Sequence, residues 1–412
     1  MMRRLSAHPL SQSRPEELGL SPQRLARIDV VFNEAVDRGR IPGAVIAVAR
    51  RGRLAYLRAF GYRDPDTREP MGTDAIFSIA SMTKPLTTVA ALILFEQAQL
   101  FLLDPVEKYL PSLAERFVGV PRKGSGGETI IENVPARRSI TIQDLMRHTS
   151  GLTYGSRGDT PVHKLYPPSS FSVAATMTAE QFLTTLKDLP LLYHPGTAWE
   201  YGFSTDVLGL LVEAIAKQSL ASFLQEHLFE PLGMHDTSFV IPRLKADRYA
   251  KAFNNDPNTN EPQSMPDATE PAKFECGGAG AVSTAGDYLR FVQMLLNKGE
   301  LEGTRVLGRK TVELMTSNHL GSEVQNNVAN IAPQLNGYGF GLGVAVRSQG
   351  SVASLMGSVG EFTWPGVFGT YFWADPREEL AVVFLSHTPG SPEIRLYYRQ
   401  AISTLVLQAV DD

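Results

Sequence analysis

Residues 77–92 read FSIASMTKPLTTVAAL, and the tetrad Ser81-Met82-Thr83-Lys84 inside that stretch decides how the rest of the chain is read. It is the only S-x-x-K in the sequence. The strongly apolar run after it predicts a helix over 84–100. Pro85 is tolerated only if it lies in the first turn of that helix. Ser81 then stands at the helix N-terminus, with Lys84 one turn further along the same face. A serine hydroxyl is a poor nucleophile near neutral pH and needs a base beside it. A lysine supplies one when burial disfavours its ammonium form. The helix start adds free N–H groups and a positive dipole end for a developing oxyanion. Four residues alone are a weak signal, because an N-capping serine and a solvated lysine explain them more simply. The surroundings must carry the argument.

Outward from the tetrad, residues 21–38 show helical spacing after a Ser-Pro start. The runs Ala44–Ala49 and Leu54–Phe60, joined through Arg51-Gly52-Arg53, predict an antiparallel hairpin. Late in the chain, 338–346, 369–374 and 380–385 predict strands, and 392–409 a final helix. A sheet therefore draws strands from both ends of the chain. The expected architecture is α/β: an antiparallel sheet flanked by helices (1–80 and 285–412), plus a mostly helical domain with long loops (81–284). A cleft between them is the default place for a site. Segments 121–136, 155–172 and 253–272 are rich in Gly, Pro and polar residues and read as loops. The last two are candidates to shape the acyl and alcohol pockets.

The composition narrows the function classes. The chain has 412 residues, 43% hydrophobic and 20% charged, which excludes a disordered, coiled-coil or collagen-like protein. Net charge is −4, without the global basic field expected of a nucleic-acid or anionic-membrane binder. A lone cysteine, Cys276, rules out an internal disulfide or a cysteine zinc cluster; it reads as a packing residue. The start, MMRRLSAHPLSQSRPEE, has no apolar run after its arginines and does not read as a signal peptide; no stretch reads as a membrane span. A cytoplasmic location is the expectation. The chain contains no H-E-x-x-H, no P-loop, no early G-x-G-x-x-G and no G-x-S-x-G. No metal, cofactor, nucleic-acid or membrane partner is expected. Asp144 and His148, four apart in DLMRHTSGL, and His387 at a strand end are minor candidates for a Ser-His-Asp arrangement.

Ordered blocks then carry a resemblance. IPGAVIAVARRG, FSIASMTKPLTTVAAL, DLMRHTSGL, HPGTAWEYGFSTDVLGLLVE, PLGMHDTSF, GGAGAVSTAGDYLRF, YGFGLGV and WPGVFGTYFW together resemble the serine β-lactamase and penicillin-binding superfamily. The similarity runs from about residue 21 to 410 and is nearest to class C β-lactamases and the family VIII carboxylesterases of the same β-lactamase-like fold. It implies Ser81 as the acylated nucleophile and Lys84 as its general-base partner. Tyr201, in Tyr201-Gly202-Phe203, aligns with the Y-x-N motif and would shuttle protons; Tyr154, in Tyr154-Gly155-Ser156, is its rival. Phe203 replaces the motif's asparagine. The K-T-G motif is absent, and Trp364-Pro365-Gly366 stands in its place, like the W-x-G of family VIII esterases. An indole offers an apolar face and one N–H where a lysine would offer a cation to a carboxylate. A neutral ester therefore suits the site better than an anionic β-lactam. By family geometry the N–H groups of Val367 and Ser81 form the oxyanion hole, and Gly366 allows close approach. The implied function is hydrolysis of short-chain acyl esters, with a small-molecule ester as partner. The alternatives are a β-lactamase, an acyltransferase, or a penicillin-recognising protein that acylates without turnover.

Overall fold

The computed structural model describes residues 10–350 and 352–412. The reading of the extreme N-terminus at residues 1–9 lies outside the described residues. In chain order, α1 (Pro22–Asp37) starts at Ser21, whose hydroxyl accepts from the Arg24 N–H, with Pro22 in the favoured first position. Strands β1 (Gly43–Arg50), β2 (Arg53–Asp64) and β3 (Glu69–Pro70) follow, then the two-residue β4 (Phe77–Ser78). Helix α2 (Thr83–Glu96) is shorter than its apolar run suggests; the chain leaves it through Ala98 at φ +56°. Next come β5 (Phe117–Lys123), β6 (Thr129–Pro135), α3 (Ile142–Met146), α4 (Ser170–Thr176), α5 (Ala179–Asp188), α6 (Ser204–Ala216) and α7 (Leu220–Leu224). The chain ends with β7 (Val282–Ser283), α8 (Ala285–Leu296), β8 (Glu300–Leu301), β9 (Thr304–Arg305), α9 (Arg309–Met315), β10 (Tyr338–Phe340), β11 (Ala345–Arg347), β12 (Phe362–Pro365), β13 (Tyr371–Asp375), β14 (Leu380–Ser386) and α10 (Pro392–Leu407).

One eight-stranded sheet organises these elements, in the order β10-β11-β12-β13-β14-β1-β2-β3, with antiparallel pairing throughout. Its centre is buried on both faces, which explains why β1 and β14 read as unbroken apolar runs. The two-residue alternation of a strand sorts them. Ile46, Val48, Val382 and Phe384 face a layer built from α1 and α10, around Phe32, Tyr398 and Ile402. Val45, Ala47, Val383 and Leu385 face the larger core shared with α2 and α8, including Leu86, Val89, Tyr288 and Phe291. Helix α2 is buried on every side from Thr83 to Leu94, apolar from Val89 onward and carrying Thr83, Lys84, Thr87 and Thr88 in its first turns.

Two segments differ from expectation. Residues 121–136, read as a loop, are largely taken up by a hairpin: β5 and β6 pair in register from Phe117↔Pro135 to Lys123↔Thr129. Most of its residues are solvated, so no apolar alternation marks it. The run 338–346, read as one strand, is two. The chain reverses through Gly341–Gly343, and β10 and β11 pair with each other. Gly343 makes that turn at φ +77°, and a Cβ there would lie 2.3 Å from Thr88 Oγ1 on α2. A strand not singled out in advance, β12, carries Trp364 to the cleft.

Candidate active site

Ser81 lies in a single 3₁₀ turn, Ala80–Met82, that leads into α2. It is not an N-cap: no side-chain cap closes α2, whose N-cap residue is Met82. Ala80, just before it, sits at φ +48°. A non-glycine residue there costs on the order of 1–2 kcal/mol, and such strain gathers at functional sites. Pro85 is the third residue of α2, within the first turn.

Lys84 is fully buried. Its Nζ donates to the Gly278 carbonyl at 2.6 Å, to Ser81 Oγ at 3.4 Å and to Tyr154 Oη at 3.4 Å. It also lies 4.5 Å from the centroid of the Tyr201 ring, within cation–π range. Tyr201 donates its hydroxyl to Ser81 Oγ at 2.7 Å and accepts from Trp364 Nε1–H at 3.2 Å. The Tyr201 and Trp364 rings lie 5.2 Å apart. One hydroxyl thus links Ser81 Oγ to the indole, with Lys84 Nζ against the Tyr201 ring.

A second chain leaves Lys84 in the other direction. Tyr154 Oη is 2.7 Å from Ser170 Oγ, and Ser170 donates to Asp206 Oδ2 at 2.8 Å. Asp206 Oδ1 accepts from the Gly278 N–H at 3.1 Å. With Ser170 donating to Asp206, Tyr154 donates to Ser170 and accepts from Lys84. Burial pushes the Asp206 carboxyl up, while the Lys84 charge and these donors pull it back. Burial also pushes the Tyr154 hydroxyl well above its ordinary value, with Asp206 adding to the effect. Neither Ser170 nor Asp206 was singled out from the sequence. Asp206 stands five residues after Tyr201 in the block that carries that tyrosine, the one local signal available.

Trp364-Pro365-Gly366 runs off the end of β12 into a turn beside Ser81. The Gly366 N–H is tied to the Thr370 carbonyl, and Thr370 Oγ1 donates to the Ile79 carbonyl at 3.1 Å. A Cβ on Gly366 would lie 2.0 Å from Thr370 Oγ1 and 2.5 Å from the Ile79 oxygen, so only glycine fits this close approach. Among the described residues, neither the Val367 nor the Ser81 backbone N–H donates within the chain. Ser81, Tyr154, Tyr201, Trp364, Gly366 and Val367 line one cleft of about 300 Å³, with Lys84 under its floor. The 155–172 segment supplies more of the wall, through Ser156, Arg157, Ser169, Ser170 and Phe171. The 253–272 segment supplies none of the lining; it packs against the start of α10, where Ser391 donates to Asp256 and the Gly390 N–H to Gln263.

Other candidates fall elsewhere. Phe203 does not reach the cleft. It immediately precedes α6 and is fully buried behind Tyr154 (ring centroids 4.6 Å apart), between Phe182 and Tyr166. Its apolar ring follows the core, where an asparagine would need partners. Asp144 and His148 do not pair: the Asp144 carboxylate accepts from Arg138, Arg147, Thr141 and Thr149. His148 packs at a tilt against Tyr201, ring centroids 4.9 Å apart, and burial, with Lys84 nearby, pulls its pKa well down. His387 lies outside the cleft lining and binds backbone groups of Ser78 and Ala250. Cys276 is buried, and burial raises its thiol pKa. Among the described residues no three His, Cys, Asp or Glu side chains converge to hold a metal, and no single helix is long and apolar enough to cross a membrane.

Residues 28–405 match the family model described as beta-lactamase. Protein Rv1367c of Mycobacterium tuberculosis (strain ATCC 25618 / H37Rv) is 36% identical over 365 residues, covering 87% of this chain and 89% of its own. Esterase EstB of Burkholderia gladioli is 30% identical over 387 residues, covering 88% and 90%. Among solved structures, "EstCE1, a hydrolase with promiscuous acyltransferase activity" superposes with a TM-score of 0.76 at 29% identity, over 92% of this chain and 99% of that one.

Proposed function

The chain belongs to the beta-lactamase family, and from that premise we propose that it is a serine carboxylesterase of the family VIII kind, hydrolysing short-chain acyl esters through an acyl-enzyme on Ser81. The observation that carries this reading is the contact of Tyr201 Oη with Ser81 Oγ at 2.7 Å, with Lys84 Nζ at 3.4 Å from the same oxygen. For the attack the Tyr201/Lys84 pair must hold one proton fewer than the donors described above, with Lys84 as the free amine; the pair then takes the Ser81 proton as Oγ attacks the ester carbonyl. The oxyanion is met by the N–H groups of Ser81 and Val367. Tyr201 returns the proton to the leaving alcohol as the C–O bond breaks. Water then enters by the same route in reverse, forming the acid and freeing Ser81. Trp364 Nε1–H supports the phenol oxygen while the proton moves. The relative named esterase supports the reaction class. The indole at Trp364, in place of a lysine, supports an ester over a β-lactam ring as main substrate.

A second reading, transfer of the acyl group to an alcohol in place of water, is favoured by one observation: EstCE1 is described as having promiscuous acyltransferase activity. A panel of p-nitrophenyl esters from C2 to C12, run beside nitrocefin and with an added alcohol acceptor, tests the proposal. The short esters are expected to be hydrolysed faster than nitrocefin. Ser81→Ala should lose nearly all turnover, and a peptide containing Ser81 should carry the acyl mass. Full activity in Ser81→Ala would overturn the assignment.

A further inference from the structure

Against the expectation of a neutral substrate drawn from Trp364, the cleft wall carries a charge pattern that short neutral esters do not use. Among the described residues three arginines, Arg157, Arg395 and Arg399, line it, and no Asp or Glu does. This occurs in a chain whose net charge is −4. Other buried arginines have a carboxylate partner, Arg50 in Glu378 and Asp412 and Arg347 in Glu361, although Arg347, like Arg116, also leaves a buried Nε without a partner. Arg116 spends both ends of its fork on the Lys187 and Leu189 carbonyls. Among the described residues none of the three cleft arginines forms an ion pair.

Arg399 is 6% exposed. Its Nη2 donates to the carbonyls of Gly366 and Thr370, and its Nε finds no partner. Burial, with Arg395 beside it, pulls its pKa down to about 9, so the cation sits where the protein does not compensate it. Arg395, one turn earlier on α10, anchors Nη1 on the Thr388 and Pro389 carbonyls; Glu393 and Asp256 act on it only at longer range. Arg157 also keeps a buried Nε without a partner, and senses Glu200 without pairing to it. Three guanidinium groups with no carboxylate among them make a cleft lining that suits an anionic ligand.

Position tells which part of a substrate supplies that acceptor. The leaving alcohol must meet Tyr201 and Trp364. Arg399 holds the other end of the same turn, at Gly366, next to the Val367 N–H. We propose that the cleft contains a carboxylate subsite formed by Arg395 and Arg399, with Arg157 across from them, and that the preferred substrates are esters whose acyl part ends in a carboxylate, such as monoesters of short dicarboxylic acids. This rests on the esterase reading and specifies its substrate class. The acyl carbonyl sits on Ser81 while the distal carboxylate takes the unused guanidinium donors, a charge-assisted, fork-shaped match that arginine makes better than lysine. The reaction balances as ordinary hydrolysis: Ser81 Oγ–C forms, the ester C–O breaks with its electron pair leaving on the alcohol oxygen, and water releases the dicarboxylic acid.

The test compares mono-p-nitrophenyl glutarate with p-nitrophenyl valerate, which has the same acyl chain length and no charge. The glutarate ester is expected to show kcat/KM at least about tenfold higher, with the advantage shrinking as NaCl is raised. In Arg395→Gln the glutarate-to-valerate ratio should fall by about tenfold, whatever happens to the valerate rate itself. Binding of free glutarate, followed by tryptophan fluorescence, gives a readout that needs no turnover, and it too should weaken in Arg395→Gln. Hydrolysis of valerate with a ratio at or below one, or a ratio unmoved by Arg395→Gln, overturns the subsite and leaves the esterase reading standing. Glutarate binding that depends on Arg395 without hydrolysis of either ester overturns the esterase reading and supports the subsite. Glutarate binding indifferent to Arg395 counts against the subsite in either case.

Discussion

Tyr201 and Tyr154 both touch the space around Lys84, but their hydroxyls are committed differently. Tyr201 reaches Ser81 Oγ directly at 2.7 Å, with only the indole N–H as its other partner. Tyr154 is held by Ser170 at 2.7 Å and approaches Asp206 at 3.4 Å, and burial fixes its proton well above the ordinary phenol range. On the proposed mechanism a phenol so held keeps its proton and orients a neighbour, leaving the relay to Tyr201. Tyr201→Phe is therefore expected to lower kcat on p-nitrophenyl butyrate by roughly 10²–10⁴, the usual scale of a lost general acid–base. Tyr154→Phe removes one hydrogen bond to Lys84 and should cost about tenfold or less. Steady-state kinetics on the two variants separate them. Equal losses, or a larger one at Tyr154, would transfer the relay to Tyr154.

At the scale of elements, the turn between β10 and β11 shows how the sheet braces α2. Gly343 lies against Thr88, one turn of α2 beyond Lys84, at a φ that only glycine takes without strain. Gly343→Ala is expected to destabilise the protein by about 1–3 kcal/mol from backbone strain, and by more from the clash with Thr88. Gly127→Ala, in the β5–β6 hairpin turn, shares the positive φ, yet its added Cβ meets nothing within 4 Å, so its loss should be clearly smaller. Urea midpoints of the two variants measure this, and equal shifts would refute the bracing role of the turn. The same turn marks the limit of sequence reading. β1, β2, α1 and α10 were legible because their periodicity and end signals are local. The run 338–346 was not, because a uniformly apolar Gly-rich stretch does not reveal where the chain reverses. The solvated β5–β6 hairpin had no buried face to announce it. In the site, Ser81, Lys84, Tyr201 and Trp364 stood out through short ordered blocks. Ser170, Asp206 and the α10 arginines are unremarkable residue types, and what distinguishes them is burial beside partners far away in the chain.

Across the whole molecule, His387 ties three distant segments together. It follows β14, accepts the Ser78 N–H on Nε2 at 3.1 Å, and binds the Ala250 carbonyl through Nδ1 at 2.9 Å. The Ser78 donor requires a bare Nε2, so the proton sits on Nδ1 and the ring is neutral. A second proton would set N–H against N–H three residues before the nucleophile. Full burial adds to this and pulls the His387 pKa down to about 4, below the unfolded value near 6.5. A depressed pKa on a base means that the unfolded chain binds the proton first. The contribution is therefore fully present above about pH 6.5 and is lost as pH falls toward 4, roughly 3 kcal/mol in all. Two buried carboxyls act in the opposite sense: Glu361, raised to about 7, and Asp287, raised to about 6, contribute stability at acid pH that fades as pH rises through those values. The wild-type curve sums these effects, so the His387 share is read from a difference. In His387→Gln the amide offers one donor and one acceptor and never titrates. The stability gap between wild type and this variant, from urea unfolding at pH 8, 6 and 4, should move by roughly 3 kcal/mol in the variant's favour as pH falls. A gap that stays constant across that range would mean that His387 binds its proton equally well in the folded and unfolded chain, so that the link between Ser78 and Ala250 does not select the neutral imidazole.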